Sequence, residues 1–353
     1  MRIAFCSCAH KKEAPALHGY TEMLKYEPDF LILMGDNIYM DYWDSTVGDK
    51  LYQSRDLSDA DFAAAMHERY DALLQTASFQ DIVNFVKGRV YATWDDHDFA
   101  WNNSAGSSGL PVNQQAAPGF LVPAEKKNIS HGLFSAFLNA VQNCQFKMPS
   151  LNLPQLINIA PAQGIQQIIQ LQKQGEKAVR LFMTDGRWYR SKPDQNAGDM
   201  LGEQQRAELK DFLDESDGMA IIASGSTMFA QKINPKQVEL MFEFHGIGAD
   251  EAETIIQKQG STEAWSAFGQ DFKVLSAAIK QGKRFLFLGG DIHTNRIDRH
   301  GNMWELISSG IGVNRLGALG VYAEKFGILD INGSSVKVKM VSKGKSKETV
   351  LYE

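Results

Sequence analysis

Short apolar runs alternate with helix-period segments along most of this chain, and that alternation confines it to the α/β class. The runs cover residues 3–5, 30–34, 89–93, 179–183, 220–223, 284–288 and 304–307, each of a length that suits a buried strand. Between them, residues 59–76, 78–87, 202–215 and 264–282 carry helical periodicity, the third segment being rich in good helix formers. Residues 322–331 and 335–342 are β-rich and flank Asn332-Gly333-Ser334, which predicts a hairpin with Val336, Val338 and Met340 on one face. Residues 102–176 break the rhythm and are read as an insertion within a single domain spanning residues 1–353. This insertion, whose Gly-Ser-rich start 102–109 follows closely on Asp95-Asp96-His97, is a candidate lid that selects substrate. In the glutamine-heavy run 163–174, Ile165, Ile168 and Ile169 recur at helical spacing and predict an amphipathic helix.

The 36 Lys and Arg against 42 Asp and Glu give a net charge of -6, which argues against a general affinity for nucleic acid or acidic membranes. Three cysteines, Cys6, Cys8 and Cys144, cannot build a disulfide framework and point to a reducing compartment. No secretory h-region with a cleavage site is visible near the start, and the apolar runs fall far short of the roughly 20 residues a bilayer span needs. The expectation is a cytoplasmic protein with neither a membrane nor a stable nucleic-acid partner.

Acidic and histidine residues gather just past the ends of five predicted strands, where open α/β sheets place their ligand sites. In order these groups are Cys6-Ser7-Cys8, Gly35-Asp36-Asn37-Ile38-Tyr39, Trp94-Asp95-Asp96-His97-Asp98, Thr184-Asp185-Gly186-Arg187 and Gly289-Gly290-Asp291-Ile292-His293. Carboxylates this dense raise one another's pKa, so a site that keeps several ionised wants a compensating cation. A bridging carboxylate, for which Asp36 is the candidate, together with nitrogen and sulfur donors, suits two or more metal ions able to clamp a phosphoryl oxygen and activate water. Phosphoester hydrolysis is the chemistry that fits.

Taken singly, each group has a plainer reading. Cys6 and Cys8 read as small buried hydrophobes, although strand alternation would put both on one face. Asp36 reads as a turn or cap residue, Tyr39 as a half-buried aromatic, and Asp185-Gly186-Arg187 as a turn with a surface arginine. A solvated acidic loop, however, has no need of a histidine wedged inside it as His97 is, and Asp291 and His293 at i, i+2 can face one ion. The conjunction of all five groups carries the metal reading. His10, His18, His67, His131, His245 and His300 lie outside them and are read as structural or surface residues.

In this order the motifs resemble those of the PhoD-like (alkaline phosphatase D type) metallophosphatases, within the calcineurin-like metallophosphoesterase superfamily. Phe5-Cys6-Ser7-Cys8 is similar to F-G-S-C, Gly35-Asp36-Asn37-Ile38-Tyr39 to G-D-x-I-Y, Trp94-Asp95-Asp96-His97-Asp98 to W-D-D-H-[DE], Asp185-Gly186-Arg187 to D-T-R, and Gly290-Asp291-Ile292-His293 to G-D-x-H. Leu201-Gly202-Glu203-Gln204 is similar to L-G-x-x-Q, and residues 305–310 to E-L-x-S-S-G. Cys6 stands where the family has Gly, which would bring a second thiol near the metals, and Gly186 stands where it has Thr.

The resemblance implies a four-layer α/β/β/α metallophosphoesterase sandwich with a helical insertion. It implies further that Cys8, Asp36, Tyr39, Asp96, Asp291 and His293 bind metal with Asp36 as the bridge, that His97 meets the leaving group, and that Arg187 binds phosphate. Thiolate and phenolate suit Fe³⁺, while the carboxylates suit Ca²⁺, Mn²⁺ or Mg²⁺. The expected function is hydrolysis of small phosphate monoesters or diesters by a metal-activated hydroxide. Two alternatives stand beside it: a non-catalytic metal or phosphate-ligand binding protein of the same fold, and a phosphonate or phosphotriester hydrolase.

Overall fold

The structure is a computed structural model that describes all residues except 12–13, 45–49, 53, 173–178, 216–218, 231–262 and 314–323, and only the backbone of 42–44 and 50–52. In chain order its strands are β1 (Arg2–Cys6), β2 (Phe30–Met34), β3 (Tyr42–Asp44), β4 (Lys50–Tyr52), β5 (Val90–Thr93), β6 (Gln167–Leu171), β7 (Val179–Met183), β8 (Ala220–Ser224), β9 (Phe285–Gly289), β10 (Asn295–His300), β11 (Met303–Ser308), β12 (Lys325–Asn332), β13 (Ser335–Ser342) and β14 (Lys345–Tyr352). The helices are α1 (His18–Leu24), α2 (Asp59–Leu74), α3 (Ala77–Phe85), α4 (Asp96–Phe99), α5 (Ala124–Gln142), α6 (Leu153–Asn158), α7 (Gly202–Asp214) and α8 (Gly269–Lys280). No described helix is long and apolar enough to cross a membrane.

Two six-stranded sheets form, ordered β14-β13-β12-β1-β2-β5 and β10-β11-β9-β8-β7-β6. In the first, β1, β2 and β5 run parallel and β12 to β14 add an antiparallel meander; in the second, β7, β8, β9 and β11 run parallel between antiparallel edges β6 and β10. Because successive strand residues point to opposite faces, each sheet has two apolar surfaces to bury. Ile3, Phe5, Ile32 and Met34 meet Leu181, Met183, Ile221, Ala223, Leu286 and Leu288 in the core between the sheets. The alternate residues Ala4, Cys6, Leu31, Leu33, Val90 and Ala92 pack against α1, α2, α3 and α5, while Phe182, Ile222, Phe285 and Phe287 pack beneath α7 and α8. Four layers result, helices on sheet on sheet on helices, as the resemblance implied.

β2 and β7 have the predicted bounds, and the other predicted strands and helices shift by a few residues. The helix expected over 264–282 begins only at Gly269, after a 3₁₀ turn at Trp265–Ala267. β12 and β13 form the expected hairpin, with Asn332 paired to Ser335 across Gly333-Ser334 and with Val336, Val338 and Met340 buried; residues 322 and 323 of that prediction lie outside the described residues. The glutamine-rich run is a correction, because it holds the edge strand β6 rather than an amphipathic helix. Pairing with β7, from Gln167 opposite Met183 to Leu171 opposite Val179, outweighs the helical spacing of the isoleucines and leaves Ile168 half exposed. Of residues 102–176, α5 packs on α2 and β5, and β6 extends the second sheet.

Candidate metal centre

The loops after the parallel strands of both sheets meet, and their backbones are bent hard to do so. Cys8, Asp36, Asp291 and His293 all adopt left-handed φ, at 62°, 51°, 72° and 49°. Non-glycine residues take this conformation only where the surroundings enforce it, and such residues concentrate at functional sites. Gly35 turns β2 toward the centre with φ 85°, and a Cβ there would lie 2.7 Å from Asp95 Cβ, so the β2 and β5 loops can approach this closely only across a glycine.

Asp98, fully buried, joins those two loops. Its carboxylate accepts the backbone N–H groups of Asp36 (3.3 Å), Asn37 (3.0 Å) and Asp95 (2.5 Å) as well as Asn37 Nδ2 (2.5 Å). We expect Asp98→Asn to lower unfolding stability by about 2–3 kcal/mol, since an amide nitrogen would face donors it cannot accept from. Denaturant unfolding checks this, and an unchanged midpoint would refute the joining role.

Two clusters of donor atoms share one carboxylate. Cys8, Asp36 and His293 place ligand atoms within 4.8 Å of one another, and so do Asp36, Asp96 and His97. Cys8 Sγ lies 3.1 Å from Asp36 Oδ2, and Tyr39 donates to that same oxygen at 3.3 Å while its hydroxyl lies 3.3 Å from His293 Nε2. The other oxygen, Asp36 Oδ1, is buried with no hydrogen-bond partner among the described residues. Burial, with Cys8 beside it, drives the Asp36 carboxyl well above the usual range, and burial pushes the Cys8 thiol up to about 11 despite hydrogen bonds from Ser309 and Ser7. Soft and hard donors around an orphaned buried carboxylate oxygen form a site that a cation would complete, so these residues fit metal ions.

Asp291 lies outside both clusters. Burial, then the charges of Asp95, Asp96 and Glu263, raise its carboxyl well above the usual range, with Arg187 opposing them. His97 Nδ1 sits 2.6 Å from Asp41 Oδ1, and the second Asp41 oxygen accepts Asn102 N–H at 2.9 Å. Burial works against protonation of His97, yet Asp96, Asp36 and Asp41 together hold its pKa well above the usual histidine value.

Arg187 is not the surface arginine of the plainer reading, being fully buried. Its Nε donates to Asp95 Oδ1 at 2.6 Å, Nη1 reaches Glu263 Oε2 at 2.8 Å and Ser104 O at 3.3 Å, and Nη2 lies 3.7 Å from Asp96 with no hydrogen bond of its own. Burial alone would raise the Asp96 carboxyl; Arg187, His97 and the Asn103 N–H (2.6 Å) bring it down to about 2 instead. Asp185 keeps to scaffolding, accepting Trp94 Nε1 and the N–H groups of Ile165, Arg187 and Trp188 at 2.7 to 3.0 Å.

One expectation changes, and one candidate segment is placed. Cys6 brings no second thiol to the metals: it packs in the helix-side core against Tyr20, because Cys8 leaves the strand in left-handed backbone and the alternation stops there. The segment 102–109 is pinned to the centre through Asn102 with Asp41, Asn103 with Asp96 and Ser104 with Arg187. Asp41 and Glu263 were not singled out in the sequence, and of the two only Asp41, five residues after Asp36 in the same loop, carried a positional signal; Ser309 lies in the motif at 305–310.

A family model described as PhoD-like phosphatase matches residues 3–318. The chain belongs to the PhoD-like phosphatase family. No curated protein matches it. Solved structures it is similar to include GAP50, the anchor in the inner membrane complex of Plasmodium (9% identity, 100% of this chain and 88% of that one, TM-score 0.41), and TT1561 of Thermus thermophilus (8%, 99% and 98%, 0.40). A putative 5'-nucleotidase from Staphylococcus aureus is another, at 12% identity over 100% of this chain and 55% of that one, with a TM-score of 0.40. As a PhoD-like phosphatase the protein is a metal-dependent phosphoesterase, and its donor clusters are of the kind that chemistry needs.

Proposed function

We propose that this PhoD-like phosphatase hydrolyses small phosphate monoesters or diesters at a centre bridged by Asp36. The observation that carries the reading is that Asp36 belongs to both donor clusters while keeping one buried oxygen without a partner. Cys8, Tyr39 and His293 with Asp36 make the softer half, suited to Fe³⁺; Asp36 and Asp96, with Asp291 close by, make the harder half, suited to Ca²⁺, Mn²⁺ or Mg²⁺. When bound, the ions supply the positive charge the carboxylates lack and an activated water.

The chain's own groups do the rest. Arg187 fixes Asp95 and Asp96, and its Nη2 is the donor left to meet a phosphoryl oxygen. His97, oriented by Asp41, delivers a proton to the departing alkoxide. Asp41→Asn should therefore cut turnover about 100-fold for esters with poor leaving groups and much less for good ones, with metal content unchanged. An equal loss on both kinds of ester would count against the orienting role. A reducing compartment suits the centre, since Cys8 serves as a donor only while its thiol stays free.

Elemental analysis of the purified protein, beside hydrolysis of a chromogenic monoester and diester before and after chelation, tests the whole reading. Bound iron, calcium or manganese with chelation-sensitive turnover is expected. A metal-replete protein that turns over neither ester would leave a binding scaffold in its place.

A further inference from the structure

Next to Tyr39, a cavity of about 570 Å³ opens between α2 and the loops that follow β1 and β2. Ala65, Arg69 and Ala72, at i, i+4 and i+7, present one face of α2 to it, and Ile38 and Leu73 extend the apolar lining. The small side chains at 65 and 72 are what leave the room. Across from them stand two rings, His10 and Tyr39, with centroids 4.4 Å apart and planes 50° apart. Tyr39 in turn packs against His97 at 4.3 Å, so the wall of the cavity runs ring by ring to the residue that meets the leaving group.

The cations at the cavity are turned toward backbone. Arg69 donates through Nε to Tyr39 O (2.8 Å) and through Nη1 to Ala65 O (2.9 Å), and Lys11 Nζ donates to Ala72 O. With these bonds made and Glu68 also on the lining, the cavity is poorly suited to a second phosphate. Its volume is that of a small-molecule pocket, and its ring and aliphatic walls match a flat apolar body.

We propose that this cavity binds the organic group of the ester, and that the group is a planar aromatic ring system. This rests on the phosphoesterase reading for its place in the reaction but not for the binding itself. The probes are 1-naphthol, followed by its fluorescence, and the pair 1-naphthyl phosphate and ethyl phosphate on metal-loaded enzyme. Ala72→Trp fills the cavity, and Ala65→Phe does so from the same helix face should the first variant fail to fold. The expected result is that 1-naphthol binds the wild type and binds the folded variant at least about tenfold more weakly. The variant should also lose about tenfold in kcat/KM on 1-naphthyl phosphate while ethyl phosphate is unaffected.

No binding of 1-naphthol to the wild type, or the same change on both phosphates, would overturn the proposal even with phosphoesterase activity intact. Conversely, naphthol binding that Ala72→Trp abolishes, in an enzyme that hydrolyses neither these phosphates nor a chromogenic diester, would uphold the aromatic pocket and sink the phosphoesterase reading.

Discussion

Asp36→Asn should abolish turnover, by at least about 1,000-fold, and leave the protein unable to hold its full complement of metal. The same change should make the metal-free protein more stable. Burial raises the Asp36 carboxyl in the folded state, and its Oδ1 has no hydrogen-bond partner, so the ionised form is disfavoured there. The sign follows: a group with a raised folded pKa contributes its stability fully below the unfolded carboxylate range and loses it as pH rises through the folded value. Metal-free wild type should therefore weaken with rising pH more steeply than the Asn variant, by about 1 kcal/mol or more at neutral pH. Elemental analysis, steady-state kinetics and melts of metal-free protein across pH check the three parts. Retained activity with retained metal would remove Asp36 from the bridge.

Arg187→Met should cost about 3–5 kcal/mol of folding stability, because Asp95, Asp96 and Glu263 would lose the buried cation they face. Lysine should recover only part of that loss, as an ammonium cannot reproduce a fork that meets carboxylates on separate nitrogens. Adding Asp95→Asn to Arg187→Met should restore stability beyond simple additivity, which a double-mutant cycle in denaturant would read directly. Full additivity would mean that the arginine and Asp95 do not act as a unit.

Much of this was legible in the chain because strand ends are loud in sequence. An apolar run followed by Gly35-Asp36 or Gly290-Asp291 announces both the strand and the turn that carries a candidate ligand. What escaped was decided by contacts distant in sequence. Cys6 and Cys8 differ by two positions, yet one left-handed residue sends them to different layers. The isoleucines of β6 were counted at helical spacing, and only the partner strand β7 shows that they sit on a sheet edge. Asp98 reads as one more acidic residue until three backbone N–H groups are seen to converge on it. Arg187 reads as exposed beside a glycine, and its burial depends on Asp95 and Glu263, 92 residues before it and 76 after.

The strand β1 lies between β2 and β12, so it waits for a strand made far later before its sheet is complete. Ser7 reaches Ser308 and Cys8 reaches Asp291 across separations of 301 and 283 residues, and the N-terminal amine bonds to Ile331. Closing loops of that length is slow, and on the ribosome it is postponed until β12 has emerged. Cys8, Asp36 and Asp96 are thus synthesised long before His293 can join them. On the proposed ligand set, that interval leaves the nascent chain with half a metal site, so the choice of ion would fall late, when the C-terminal strands dock.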